Sequence, residues 1–128
     1  MRPIAALFAG TVLFGVGVFA SAGQNEDFVC DGNTADVTAC LLEQNKKIQA
    51  NLDIAYQQSL KAAADFSADD VARLKDAQRK WSAYRKAACD AELALYHGGT
   101  AGGPASLSCI WRVTNERIQA LKIAYIER

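Results

Sequence analysis

The sequence has little of the chemistry that most enzymes use. Its only histidine is His97, and none of its serines lies in a nucleophile elbow. The paired glycines of the second half follow a helical stretch rather than a strand, so they form no phosphate-binding fingerprint. Asp69 and Asp70 are better explained as acids that cap a helix than as an acid–base pair. We therefore expect no catalytic residues, no cofactor and no enzymatic activity.

An excess of charge of one sign is also lacking. Fourteen basic residues balance 14 acidic ones, which gives a formal net charge of zero. Nucleic-acid binding requires a clear basic excess, so we expect no nucleic-acid partner. The basic side chains Lys75, Arg79 and Lys86 are spaced to form one outward-facing stripe, which favours a solvated helix face over a docking patch.

Residues 1–22 have the organisation of a signal peptide. The run Ile4–Phe19 carries no charge, and Ala20-Ser21-Ala22 is a small-x-small cleavage site. An uncleaved membrane anchor is the alternative because the run is rather long, but three glycines within it weaken a spanning helix. No cysteine ends the run, so lipidation is not expected. We expect residues 23–128 to be periplasmic or secreted, as one domain with no stable membrane anchor after cleavage.

The cysteines point to disulfides rather than to a metal. They include no CxxC pair, and a single histidine makes a zinc site a poor alternative. An even number of cysteines in an exported chain of this size predicts two disulfides. They are Cys30, Cys40, Cys89 and Cys109.

The hydrophobic periodicity predicts three helices. The first extends from about Thr34 to Ala64, the second follows an N-cap at Ser67 and ends near Tyr96, and the third covers about Pro104 to Ile126. A glycine-rich break separates the last two, since each glycine destabilises a helix by about 1 kcal/mol relative to alanine. The predicted fold is therefore all-α, an antiparallel three-helix bundle cross-linked by two disulfides.

The disulfide pairing follows from the order of the helices. The second and third helices meet at the glycine-rich break, so Cys89 can approach Cys109 across it. Cys30 would then pair with Cys40 and tie the N-terminal arm to the first helix. Other pairings of Cys40 remain open, because the first helix begins at the same end of the bundle.

Aromatic residues and an arginine share one side of the second helix. At 3.6 residues per turn, Trp81 and Tyr84 fall on its inward stripe and Arg85 on the edge of that stripe. Stacking of Arg85 on either ring would add a cation–π interaction of about 0.5–2 kcal/mol. We predict that Tyr56 on the first helix belongs to the same aromatic core.

Two arginines border the apolar stripes, Arg85 on the second helix and Arg117 on the third. Because an unpaired charge is costly to bury, the structural interpretation pairs them with acids or carbonyls of the first helix. Asp53 and Glu43 are the nearest candidates. The functional interpretation has Arg85 binding the carboxylate of a partner. The inward phase of Arg85 favours the structural interpretation.

Together these motifs resemble the LprI-like lysozyme-inhibitor family of bacterial secreted proteins. Gln78-x-x-Trp81-x-x-Tyr84-Arg85-x-x-x-Cys89 resembles its central signature, and the resemblance covers about Cys30 to Leu121. Asp53 departs from the expected Asn and Gln49 from an expected acid, so Asp53 is the candidate acid here. Further elements that match are Leu52-Asp53-x-x-Tyr56, Cys40, Gly98-Gly99-Thr100, Cys109 and Thr114-x-x-Arg117-x-x-x-Leu121.

The resemblance implies a protein that binds a lysozyme and occludes its substrate cleft. The residues we expect to bind the partner are those of the glycine loop: His97, Gly98, Gly99 and Thr100. A plain connector between helices is the alternative, since loops of this length are ordinary. Acidic residues near the N-terminus form another candidate surface: Glu26, Asp27, Asp31 and Asp36. The alternative function is a non-inhibitory envelope module, structural or binding another periplasmic protein or toxin.

Overall fold

The structure of the chain is a computed structural model that describes residues 28–128, and most of this region is helical. Within that region there are three α-helices and no strand: α1 (Thr34–Ala64), α2 (Ala68–Ala94) and α3 (Gly102–Leu121). A π-helical turn, Lys122–Ile126, continues α3. The all-α prediction is confirmed. The predicted signal peptide, residues 1–22, lies outside the described residues.

The helix bounds differ from the prediction at the connection between α2 and α3 and at the end of α3, where the α-helix stops at Leu121 and a π-helical turn continues to the predicted Ile126. α2 ends at Ala94 and α3 begins at Gly102, so each boundary is shifted by two residues from the predicted Tyr96 and Pro104. Pro104 therefore occupies the third helical position of α3. A proline is tolerated there because the first four N–H groups of a helix have no partner within it.

Capping residues define where the first two helices begin. The Asn33 side chain accepts hydrogen bonds from the backbone N–H groups of Ala35 and Asp36, and the Asp36 carboxylate accepts one from the N–H of Asn33. This capping box was not predicted from the sequence. Ser67 caps α2 as predicted, accepting a hydrogen bond of 3.1 Å from the N–H of Asp70.

Replacing Asn33 with alanine should lower the free energy of unfolding by about 1 kcal/mol, because two backbone donors lose their acceptor. Urea denaturation followed by circular dichroism measures this loss. Asn51→Ala on an exposed position of α1 is the control and should change stability by less than about 0.5 kcal/mol. Equal effects of the two substitutions would show that the capping box contributes nothing.

The helices pack with α1 and α3 parallel and α2 antiparallel to both. The side-chain amide of Asn45, in the first half of α1, donates to the carbonyl oxygen of Leu107, in the first half of α3, at 3.0 Å. Short connections at opposite ends of the bundle join α2 to its neighbours. The main apolar core lies between the three helices and contains Ile48, Leu52, Ala55, Ala63, Leu74, Ile118 and Leu121.

Both disulfides lie at the end of the bundle where α2 meets α3. Cys30 is bonded to Cys40 and Cys89 to Cys109, so the predicted pairing is confirmed. Cys89 and Cys109 are buried with Val113 in a second, smaller apolar cluster. The connection between α2 and α3 is therefore held by a covalent link between the helices that carry it.

No helix within residues 28–128 has the length and apolar character needed to cross a bilayer.

Candidate partner-binding site

The connection between α2 and α3 is a tight, exposed turn. The N–H of Gly99 donates to the carbonyl oxygen of Tyr96 at 2.8 Å, and the N–H of Gly102 donates to that of Gly99 at 3.1 Å. His97 and Gly98 have positive φ angles of 48° and 81°, a region that glycine adopts readily. A Cβ placed on Gly98 would meet no atom within 4 Å. The backbone at the turn is thus ordered by hydrogen bonds and open to a partner.

Apolar side chains surround this turn, and they are exposed. Leu95 is 73% exposed, Tyr96 43% and Leu93 41%. We call these three residues together with His97 the apolar tip. Gly102 lies beneath it: a Cβ there would be 2.9 Å from Leu93 and 3.3 Å from Tyr96, so the missing side chain lets both residues pack closely on the start of α3. Exposed apolar groups of this kind are typical of interaction surfaces.

All four predicted partner-binding residues, His97, Gly98, Gly99 and Thr100, lie in this connection and are exposed. Sequence reasoning missed Leu93, Leu95 and Tyr96, because it assigned them to the end of a helix that packs in the bundle. The signal was present as three large apolar residues within four positions at a predicted helix end.

The predicted cluster of aromatic and cationic groups forms around Trp81. The Arg85 guanidinium carbon lies 4.8 Å from the centroid of the Trp81 ring, and that of Arg117 lies 5.9 Å away. Trp81 packs against both the main core and the disulfide cluster. Tyr56 packs half-buried against the main core. One ring therefore joins two cationic groups and two apolar clusters.

Neutral acceptors, rather than the candidate acids Asp53 and Glu43, receive the hydrogen bonds of Arg85. Its Nη1 donates to Gln49 Oε1 at 3.0 Å and to Thr114 Oγ1 at 2.9 Å. Asp53 makes no hydrogen bond to Arg85; its carboxylate accepts one from Gln49 Nε2 at 2.9 Å. Gln49 thus supplies a carbonyl acceptor from α1, whereas the candidate acids Asp53 and Glu43 do not bond Arg85 directly. A carboxamide can accept from the arginine and donate to the acid at once. Glu43 faces Lys46 instead.

Among residues 28–128, no carboxylate forms an ion pair with Arg117 either. Its Nε donates to Gln78 Oε1 at 2.9 Å, and its buried Nη2 has no hydrogen-bond partner within residues 28–128. Burial is the main cause that lowers the pKa of Arg117. Burial likewise lowers the pKa of Arg85, with Asp53 opposing. These arginines are inward-facing parts of the bundle whose charge is only weakly compensated.

Tyr84 does not belong to this cluster, which corrects the prediction. Its side chain is 61% exposed. The core-facing line of α2 passes through Leu74, Trp81, Arg85 and Cys89, and a rotation of about 100° per residue places Tyr84 roughly 100° from that line. The sequence pattern placed the core-facing side of α2 too far toward Tyr84. It therefore put Arg85 at the edge of that side rather than near its centre.

Replacing Arg85 with methionine should leave the free energy of unfolding unchanged within about 1 kcal/mol or raise it slightly. The substitution puts an apolar side chain of similar volume in place of a charge that has no direct carboxylate partner. Thr114 still has an acceptor, since its hydroxyl donates to the carbonyl oxygen of Ile110. Urea denaturation measures the change. Arg85→Ala is the control for lost packing and should destabilise the protein more than Arg85→Met does. A loss above about 2 kcal/mol for Arg85→Met would mean that the polar network itself stabilises the bundle.

Comparison with known proteins assigns the chain to a family. Residues 30–121, more than half of the 128, match the family described as Lysozyme inhibitor LprI. No curated protein matches the chain, and no solved structure does. The matched region contains all four cysteines, the Trp81 cluster and the apolar tip. The resemblance predicted from the motifs is confirmed, and the chain belongs to the LprI lysozyme inhibitor family.

Proposed function

We propose that the protein inhibits a lysozyme by placing the apolar tip in the substrate cleft of the enzyme. Membership of the LprI family supports inhibition. The observation that carries the choice of surface is the exposed apolar turn between two helices linked by the Cys89–Cys109 disulfide. A binding element that is already ordered loses little conformational entropy on association, which favours tight binding.

The side chains of the apolar tip suit a cleft. Tyrosine is enriched among residues that dominate binding energy at protein interfaces, and Tyr96 is half-exposed at the tip beside Leu95. Glycines in the turn allow a close approach of the backbone to cleft walls. His97 can donate a hydrogen bond to the pair of carboxyl groups that glycosidases of this kind carry in their active sites.

Charges near the apolar tip are arranged so that they do not oppose a carboxylate-lined cleft. The two acids in the last turns of α2 are each paired with a cation: Asp90 with Lys86 at 2.5 Å and Glu92 with Arg112 at 2.6 Å. Like charges brought together at an interface weaken association and slow the encounter. The paired acids therefore present little net negative charge to the enzyme.

We further propose that the protein acts in the periplasm or outside the cell. Two disulfides are typical of proteins that mature in an oxidising compartment. The predicted signal peptide supplies the route there. We expect no enzymatic activity of its own.

The test is lysis of a bacterial suspension by lysozyme, followed by turbidity, with protein purified from the periplasm of an expression host that carries the full chain. Near-stoichiometric protein should slow lysis. Leu95→Asp combined with Tyr96→Asp should raise the concentration needed by about 30-fold, because two apolar anchors are lost. Tyr84→Asp is the matched control on a distant exposed position and should inhibit as well as the unaltered protein.

A second probe blocks the cleft contact by bulk. A Cβ on Gly103 meets no atom within 4 Å, whereas one on Gly99 would lie 3.0 Å from the carbonyl oxygen of Tyr96. Gly103→Trp is therefore the cleaner substitution, and it should weaken inhibition without changing the melting temperature. Absence of inhibition by the folded, disulfide-bonded protein at large excess would reject the proposal in favour of the non-inhibitory envelope module.

A further inference from the structure

A groove between α1 and α3 forms a second surface, separate from the apolar tip. Its volume is about 690 Å³, and no residue of α2 lines it. Ile48, Ala55 and Ile118 contribute apolar groups, and Trp111 and Phe28, whose rings meet edge to face at 5.0 Å, complete it. A volume of this size is within the range of ligand-binding clefts. The groove shares no residue with the apolar tip.

The polar groups of this groove are unusual in type. Five of its lining residues carry carboxamides, two are lysines, and none of the described lining residues is acidic. None of the hydrogen bonds or ion pairs within residues 28–128 uses the side chains of Gln44, Asn51, Gln58, Lys47 or Lys122. The groove thus offers neutral donors and acceptors and two positive charges that the bundle itself does not use.

The carboxamides of α1 are regularly spaced. Gln44, Asn51 and Gln58 are seven residues apart, so they recur about every 10.5 Å along the helix. A peptide in the polyproline II conformation returns to the same side every third residue, after about 9.3 Å. A carboxamide has both a donor and an acceptor, so it can pair with the N–H and C=O of one residue of such a chain. The row therefore matches an extended peptide of this form at about every third residue.

From this arrangement we propose that the groove binds an extended, acidic segment of a partner protein. The α1 carboxamides pair with its backbone, and Lys47 and Lys122 pair with its carboxylates. Ile54, which is 59% exposed at the groove, contacts its apolar atoms. A helical segment is a poorer match, because its backbone groups are bonded to each other and cannot use the carboxamides.

The test uses a fluorescein-labelled nonapeptide of alternating glutamate and threonine, with binding to the periplasmically purified protein followed by fluorescence anisotropy at 150 mM salt. The acidic peptide should bind saturably, and the matching lysine–threonine peptide should bind at least about tenfold more weakly. Lys47→Glu with Lys122→Glu should weaken binding about tenfold or more. Lys61→Glu with Lys75→Glu changes the net charge equally outside the groove and should have little effect.

A second pair of substitutions separates recognition of the peptide backbone from simple charge attraction. Asn51→Leu with Gln58→Leu keeps every charge and should weaken binding of the acidic peptide about fivefold, because two hydrogen-bonding groups are lost. No binding of the acidic peptide would overturn the proposal. An equal loss of peptide affinity in the Lys61 and Lys75 control would also overturn it. So would an unchanged affinity of the leucine variant, or displacement of the peptide by a neutral chitin oligosaccharide. Inhibition of lysozyme should be unaffected in all these variants, so failure at this groove is distinguishable from failure at the apolar tip.

Discussion

Replacing Cys89 and Cys109 together with alanine should lower the free energy of unfolding by at least about 3 kcal/mol. The two cysteines are separated by 20 residues, and chain entropy gives about 3 kcal/mol for a cross-link of that span. Both residues are also buried, with 2% and 1% of their surface exposed, so the loss of packing adds to the effect. Urea denaturation followed by circular dichroism measures the change.

The second disulfide provides the matched control. Cys30 and Cys40, the outer pair, are separated by only 10 residues and are half-buried, so replacing both with alanine should cost less than replacing Cys89 and Cys109, the inner pair. The inner pair should also affect function, because it links the two helices that carry the apolar tip. Inhibition of lysozyme should fall in the Cys89 and Cys109 variant even under conditions where it remains helical. An equal or larger stability loss for the outer pair would contradict this view of the bundle.

Replacing Trp81 with alanine should lower the free energy of unfolding by about 4 kcal/mol, as expected for removal of a large core aromatic. Trp81 packs against both apolar clusters and lies beneath the guanidinium groups of Arg85 and Arg117. Its removal leaves two inward-facing cations without their aromatic contact, in addition to creating a cavity. Urea or thermal denaturation measures the loss.

Tyr84→Ala is the control for this substitution, since it removes an aromatic ring three residues further along the same helix. Tyr84 is 61% exposed, so its loss should change stability by less than about 0.5 kcal/mol. The comparison tests the rotation of α2 directly. Comparable losses at Trp81 and Tyr84 would mean that the helix faces the core as the sequence pattern suggested, not as the structure shows.

The features that could be predicted from the sequence are those that depend on local chemistry. Ser67 followed by Asp70 is a capping signal, and it marks the start of α2 in the structure. The glycines between the second and third apolar stripes mark the break between α2 and α3, where Gly98 has a positive φ and Gly102 begins α3. Once the two helices were placed at that turn, the proximity of Cys89 and Cys109 followed from the chain path alone.

What could not be predicted depends on how the helices are rotated against one another. A rotation of α2 by about half a residue's turn moves Tyr84 outward and brings Arg85 toward the core, and periodicity alone does not resolve such a rotation. The partners of Arg85 come from α1 and α3, so no pattern within α2 reveals them. The same holds for the groove, whose polar residues belong to two helices that are far apart in sequence.

The capping box at Asn33 could have been recognised. Asn33 and Asp36 have the spacing of an N-cap and a third-position acid. The polar composition of the preceding residues concealed it, because that stretch was interpreted as an irregular arm. The apolar tip was missed because large apolar residues at the end of a helix were interpreted as residues that pack in the bundle, although the same residues can also form an exposed binding surface.

The most direct measurement of the central claim is a competition experiment. The protein is titrated into lysozyme by isothermal calorimetry, with and without saturating tri-N-acetylchitotriose, a fragment of chitin that occupies the substrate cleft. If the apolar tip lies in that cleft, the sugar should reduce the apparent affinity in proportion to its own occupancy. An affinity that is the same with the cleft filled would contradict the proposed mode of inhibition.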